Sequence, residues 1–329
     1  MSEIQQKFKA HPIGQGFFYS GKLKKGKSEF NFIFDCGSLS YSVLNDTIDR
    51  YNTHHTKVID LLIISHFDAD HINGLKRLLQ GKEVKKVVAP FIGLDQRISI
   101  LLNFRGGFDQ RKPSNIDPNI DNTFLSIIDF TEALKDELGG ADFYFVEGSD
   151  NKPLDPNYDI NIGKLTNDSG EFDFNFEGNE SLNDDEKSKL GFKNISGNAF
   201  KIKCHQIGFL TSGAVNILDL IFYKKKLGEQ ENEFYNEVFK TFLDTNKRSF
   251  IDINNPSTEE LVNTIKKYKG AKKIKELFSK AASKVEIELS KTEISNLNTT
   301  ALCMLHFDRL RYNCLTSQND NQHHHPYQL

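Results

Sequence analysis

The sequence predicts an α/β fold, and three observations predict it. Through the first ninety residues, short β-branched or aromatic runs alternate with stretches of helical spacing, in the order β-β-α-β-α-β. The run Leu61-Leu62-Ile63-Ile64 is short and wholly apolar, as a strand buried on both faces must be. Directly after it, Leu75, Leu78 and Leu79 recur at helical spacing, so strand passes to helix across one polar loop. At 329 residues and 38% hydrophobic, the chain can bury a sizeable core as a single domain spanning 1–329.

A first strand is expected between His11 and Leu23, around Gly14-Gln15-Gly16 and Phe17-Phe18-Tyr19. Lys24-Lys25-Gly26-Lys27 reads as a solvated hairpin turn. The return strand alternates Phe30, Phe32 and Phe34 with Asn31 and Ile33 and ends in Asp35-Cys36-Gly37-Ser38. Leu44, Ile48 and Tyr51 place a helix over 41–52. After the buried strand, a helix runs to Leu79 and closes at Gly81, and Val84 to Ala89 is a strand ended by Pro90.

From Asp95 onward the periodicity weakens. One helix is expected over 124–138 and one strand over 142–146. The stretch 148–194 is rich in Asn, Asp, Gly and Ser and reads as a long polar loop insertion with only short ordered pieces. Strand character resumes from Gly213 to Tyr223. The stretch 226–292 reads as a Lys/Glu-rich helical insertion, an α hairpin on the surface with helices over 229–243 and 258–282. Its lysines (Lys266, Lys267, Lys269, Lys272, Lys273, Lys275) read as a solvated face, with phosphate contact as the other reading. A last strand is expected over 298–307.

The chemistry concentrates in Ser65-His66-Phe67-Asp68-Ala69-Asp70-His71, on the loop that leaves the buried strand. His66 and Asp68 share a direction on extended backbone, because side chains two apart lie on one face. Asp70 and His71, at the helix start, converge on the same point from a second direction. Asp68 or Asp70 alone would read as a helix cap. Two histidines and two aspartates in six residues read as a metal-binding loop. Imidazole and carboxylate without thiolate suit zinc, manganese or iron better than a structural cysteine site. The lone His205 and His306 read as packed or hydrogen-bonded, and His323-His324-His325 as part of a disordered tail.

A net charge of −3 gives no global bias toward nucleic acid. Cys36, Cys204, Cys303 and Cys314 make no CxxC pair and read as thiols in a reducing compartment. With neither a signal peptide nor a membrane-length apolar run, the expected location is cytoplasmic. No P-loop, GxSxG, dinucleotide fingerprint or internal repeat is found.

The stretch Ser65 to His71 resembles the HxHxDH motif of the metallo-β-lactamase superfamily, with Asp68 where most members carry the second histidine. With Gly14-Gln15-Gly16 upstream and Asp35-Cys36-Gly37 closing the second strand, it looks most like the ComEC-type hydrolase domain of bacterial competence DNA-uptake proteins. Asn298-Thr299-Thr300-Ala301-Leu302 is similar to that group's Asn-containing strand entry. The likeness covers roughly the first ninety residues and this later strand.

The resemblance implies a metallo-β-lactamase-like αββα sandwich with inserted helices and a metal site, usually two zinc ions, at the edge between two sheets. It implies His66 and Asp68 for one metal, Asp70 and His71 for the other, and Asp35 as a support behind them. Asp70 would also orient the nucleophile. The oxygen of Asp68 tilts the site toward manganese or weaker zinc binding. Family members continue to a Gly-Asp motif and a late histidine, neither of which this sequence shows. Leu210-Thr211-Ser212-Gly213 resembles the strand before that motif, yet no aspartate follows it. The expectation is a chain truncated at its C-terminal end; a degenerate site, or ligands from a partner chain, are the alternatives. The implied activity is metal-dependent hydrolysis of phosphodiesters, as a nuclease or phosphodiesterase, with nucleic acid or a nucleotide as substrate. A non-catalytic binding module and a small-molecule ester or lactone hydrolase are the competing readings.

Overall fold

Two β-sheets lie face to face, with helices on the outer side of the larger one, in a computed structural model that describes residues 3–53, 57–108, 120–150, 171–176, 178–195, 198–213, 215–268, 270–286 and 301–308. The larger sheet is built from β1 (Ile4–Ala10), β2 (Gly16–Lys25), β3 (Ser28–Ser38), β4 (Val58–Ile63), β5 (Glu83–Pro90) and β6 (Asp142–Val146), in that order. The second contains β7 (Phe172–Phe176), while β8 (Glu180–Ser181) and β9 (Ala199–Ile202) complete the first beyond β6. With β10 (Ile207–Ser212), β11 (Val215–Lys224) and β12 (Leu302–Asp308), the second sheet has the order β12-β11-β10-β7. Strands β1 to β3 form an antiparallel meander; β3, β4, β5, β6 and β9 are parallel.

The alternation of side chains along each central strand divides the interior in two. Phe30, Phe32, Phe34, Leu61, Ile63, Val88, Tyr144 and Val146 face the second sheet and meet Leu218, Leu220 and Phe222. Ile33, Ile59, Leu62, Ile64, Val87, Phe143 and Phe145 face the helices. Each such side chain contributes about 1.5–3 kcal/mol by leaving water. Parallel strands require crossovers, and these are α1 (Tyr41–Asn52), then α2 (Ala69–Ile72) and α3 (Leu75–Leu79), then α4 (Leu94–Phe108), α5 (Ile120–Ala133) and α6 (Lys135–Leu138), then α7 (Asp184–Leu190). The buried helix residues belong to the helix-side core, and none of them to the core between the sheets.

Several expectations are corrected. The N-terminal segment forms the edge strand β1, whose half-exposed alternation carries no strong apolar signal. The first predicted strand begins only at Gly16. Helix α4 fills a stretch where no element is predicted; Ile98, Ile100, Leu101 and Leu102 are all buried, so no single apolar stripe shows in the sequence. The helix expected over 124–138 starts at Ile120 and breaks at Asp129, whose φ of −149° and ψ of 87° are non-helical. By contrast, β7, β8 and α7 are the short ordered pieces expected within the polar loop.

The predicted surface hairpin is three helices, α8 (Glu229–Thr245), α9 (Thr258–Lys267) and α10 (Ala271–Lys284). Their residues Phe234, Val238, Phe242, Leu261, Ile265, Ile274, Leu277 and Phe278 join the helix-side core, so they are not a solvated appendage. Lys266 pairs with Asp121 at 2.8 Å, and Lys272 with Glu276 at 3.9 Å. Lys269, Asn298 to Thr300, Cys314 and the triple histidine lie outside the described residues. Cys36, Cys204 and Cys303 are free thiols, and among the described residues no helix is long and apolar enough to cross a membrane.

Two backbone links join the sheets at one end of the sandwich. The Leu302 N–H, at the start of β12, donates to the Ser65 carbonyl at 2.6 Å. In the loop after β6, Ser149 N–H donates to the Lys224 carbonyl at 3.0 Å, and Lys226 N–H returns to Ser149 O at 3.2 Å. This is the end at which the loop from Ser65 to His71 emerges.

Candidate metal centre

The loop leaves β4 under tight control. Ile64 N–H still donates to Val88 O at 2.8 Å, after which the backbone is extended through Asp68 (φ −70°, ψ 146°). On such a backbone side chains alternate, so Phe67 points opposite to its neighbours. Phe67 is fully buried against Phe130 and Phe192, with ring centroids 5.7 and 6.2 Å away. His66 and Asp68 turn the other way and meet, His66 Nε2 lying 3.6 Å from Asp68 Oδ2.

Three glycines let α2 lie directly on β2 and β3. A Cβ on Gly37 would sit 2.5 Å from His71 N, and one on Gly16 would sit 2.6 Å from Asp70 O. Gly74 N–H donates to Cys36 O at 2.9 Å, and the Asn73 amide bridges both backbone groups of Ser38 at 3.0 and 2.9 Å. Gly37→Ala is expected to push the loop away, costing about 1–3 kcal/mol. Gly140→Ala, whose Cβ would meet nothing within 4 Å, is the control. Urea unfolding of both variants checks this; equal midpoints would refute the close approach.

Asp35 reaches the loop through a bulge. Phe18 pairs with Cys36 and Tyr19 with Phe34, leaving Asp35 as the extra residue of β3, with φ 55°. The strand runs on through the bulge to Ser38, the last residue of the stretch in which the sequence places its end. Bulges re-aim side chains, and this one places a fully buried carboxylate beneath the metal loop. Asp35 Oδ1 accepts from Ser65 N at 2.7 Å, and its Oδ2 accepts the Ser65 hydroxyl and lies 2.9 Å from His71 Nδ1.

With Asp35 as a carboxylate, one proton assignment satisfies these bonds. The Ser65 hydroxyl has one proton, which goes to Asp35, so its oxygen accepts from His66 Nδ1 at 2.8 Å. His71 Nδ1 likewise donates to Asp35. In that assignment each ring carries a proton on Nδ1; His66 keeps its Nε2 lone pair, and His71 has one in its neutral form. The rings are 3.7 Å apart, centroid to centroid. Burial, with the neighbouring His71, pushes His66 down to about 3, so it stays neutral. Burial opposes protonation of His71, but the hydrogen bond and charge of Asp35, with the charges of Asp70 and Asp68, carry it above its ordinary value. Burial and the charge of Asp70 push Asp68 up to about 6, and burial raises Asp35 against the pull of its donors.

One donor atom from each of Asp35, His66 and His71 falls within 4.8 Å of the others, a group that could hold a metal ion. Asp68 adjoins it at His66. Ligands about 2.1 Å from a tetrahedral metal stand about 3.4 Å apart, close to the His66–Asp68 separation. The donor set of neutral imidazoles and carboxylates thus fits a borderline or hard divalent cation. Asp70 is half-buried and outside that three-residue group, though its charge acts on both Asp68 and His71. Asp35 has its carboxylate engaged by Ser65 and His71. The role of Ser65 as the hub is not visible in the sequence, where a serine after a strand has no distinguishing neighbour. His205 packs on Tyr223 with centroids 5.2 Å apart, away from any metal group among the described residues. His306 lies in β12 opposite Leu220.

No protein-family model matches this chain, and no curated protein matches it.

Proposed function

We propose that this protein is a metal-dependent hydrolase of the metallo-β-lactamase type, acting on phosphodiester bonds. The observation that carries the reading is the Asp35–Ser65–His66–His71 network, which engages both imidazoles through Nδ1 and leaves their Nε2 positions for a cation at the end of a two-sheet sandwich. Bound cations would supply an activated water and neutralise charge on the reacting oxygens. The chain supplies the rest. His66, Asp68, Asp70 and His71 hold the cations. Asp35 and Ser65 fix the ring orientations from behind, and such outer partners tune metal affinity. Phe67 anchors the loop in the helix-side core. Asp70, half-exposed beside His71, orients the attacking water. The absence of a Gly-Asp motif from the sequence favours a second reading, a binding module without turnover.

Elemental mass spectrometry of the wild type beside Asp70→Ala and His71→Ala tests the proposal. The expected result is about two equivalents of zinc or manganese in the wild type and loss of at least one in each variant. No metal in any of the three proteins would overturn the hydrolase reading. Metal without hydrolysis of a chromogenic phosphodiester would favour the binding module.

A further inference from the structure

Strand β11 sends Leu218, Leu220 and Phe222 into the core between the sheets, and Lys224 is next in that inward row. Lys224 is 4% exposed, and no hydrogen bond or ion pair to its ammonium is present among the described residues. The lysine stem is enclosed, while its nitrogen is not among the buried side-chain atoms that lack a partner, so the ammonium keeps a contact with solvent at this end of the sandwich.

The backbone links place this lysine at the end of the sandwich from which the metal loop emerges. Lys224 stands in register with Leu302, whose N–H donates to Ser65 O, the residue before His66. On its other side, the Lys224 carbonyl accepts from Ser149 N, and its N–H donates to Cys204 Sγ at 3.4 Å. The charges that act on it are those of Cys204, Glu147 and Lys189. Glu147 is 3.7 Å from Lys201, which also binds Glu186 at 2.7 Å, so Glu147 answers a different lysine. Burial depresses the Lys224 ammonium to about 8, which still leaves it cationic at neutral pH.

We propose that Lys224 is an anion-recognition residue of the metal-loop edge, holding a non-reacting phosphate oxygen of the substrate. The assignment rests on the hydrolase reading and narrows its substrates to phosphate esters over neutral esters or lactones. A bound phosphate would give the ammonium the partner that the chain withholds.

The test is thermal unfolding and calorimetric titration with inorganic phosphate, against chloride at equal ionic strength, for wild type, Lys224→Met and Lys224→Gln. Metal content is measured alongside. Phosphate is expected to bind wild type and raise its melting temperature. In Lys224→Met the melting temperature in chloride is expected to rise, because the cost of enclosing most of a charged side chain is gone, while phosphate affinity falls tenfold or more. Lys224→Gln repeats the affinity loss if the methionine variant fails to fold. General salting-out acts on all three proteins alike and cancels in the comparison. Equal phosphate binding by wild type and both variants, or no binding by wild type, overturns the assignment. If the wild type holds no metal but its phosphate binding depends on Lys224, the anion site stands and the hydrolase reading falls.

Discussion

Arg97→Ala is expected to destabilise the protein by about 3–5 kcal/mol, the range for removing one member of a buried charged network. Arg97 is fully buried. Its Nε donates to Ile128 O at 2.9 Å, Nη1 to Ile92 O at 2.7 Å and Nη2 to Leu190 O at 2.5 Å. The guanidinium lies 3.9 Å from the Phe192 ring centroid and 5.8 Å from that of Phe67. One side chain thus ties the loop after β5, the kink of α5 and the end of α7 together beneath the metal loop. Truncation strands three buried carbonyls, each worth about 1–3 kcal/mol when unpaired, and opens a cavity. Water entering that cavity returns part of the loss. Lysine cannot restore it, since one ammonium cannot match the planar fork. The drop in the urea midpoint at constant slope is the measurement. A change below about 1 kcal/mol would mean that the carbonyls find other donors.

Asp35→Ala is expected to weaken metal binding about 10–100-fold and stability by about 2–3 kcal/mol. Without the carboxylate, the buried Ser65 N–H and hydroxyl lose their acceptor and His71 Nδ1 loses its partner. The serine hydroxyl is then free to donate to His66 Nδ1, shifting that ring's proton to Nε2 and blocking the metal lone pair. Asp35→Asn should give the same sign with a smaller stability change, because its amide retains one acceptor. Metal titration separates the two effects: unchanged affinity in a folded Asp35→Ala protein would refute the orienting role.

How much of this the sequence discloses depends on whether the responsible signal is local. The strand 61–64 and the charged loop after it are read correctly because apolar run, polar turn and helical spacing sit side by side. The common direction of His66 and Asp68 follows from strand geometry alone. Asp35 is recognisable as a supporting residue only by family likeness, since the bulge that aims it depends on pairing with β2. Arg97 is hidden because α4 is apolar on several sides and shows no stripe. Lys224 is invisible for a similar reason: it lies just past the predicted strand in a run of three lysines, and the pairing of β11 with β12 makes it part of the strand. In each failure, a partner distant in the chain outweighs the neighbours in sequence.

The link from Leu302 to Ser65 also dictates an order of events during synthesis. Domains emerge N-terminal end first, and the metal loop leaves the ribosome well before the strand that closes over its carbonyl. Until Leu302 arrives, Ser65 lacks that anchor and β11 lacks its outer neighbour, so the sandwich edge is unfinished. Closing so long a loop costs little more entropy than closing a shorter one, but it cannot happen early. Under the proposed function, metal loading is expected to be a late, post-translational step, and a ribosome-stalled nascent chain ending before β12 should take up less metal than the released protein.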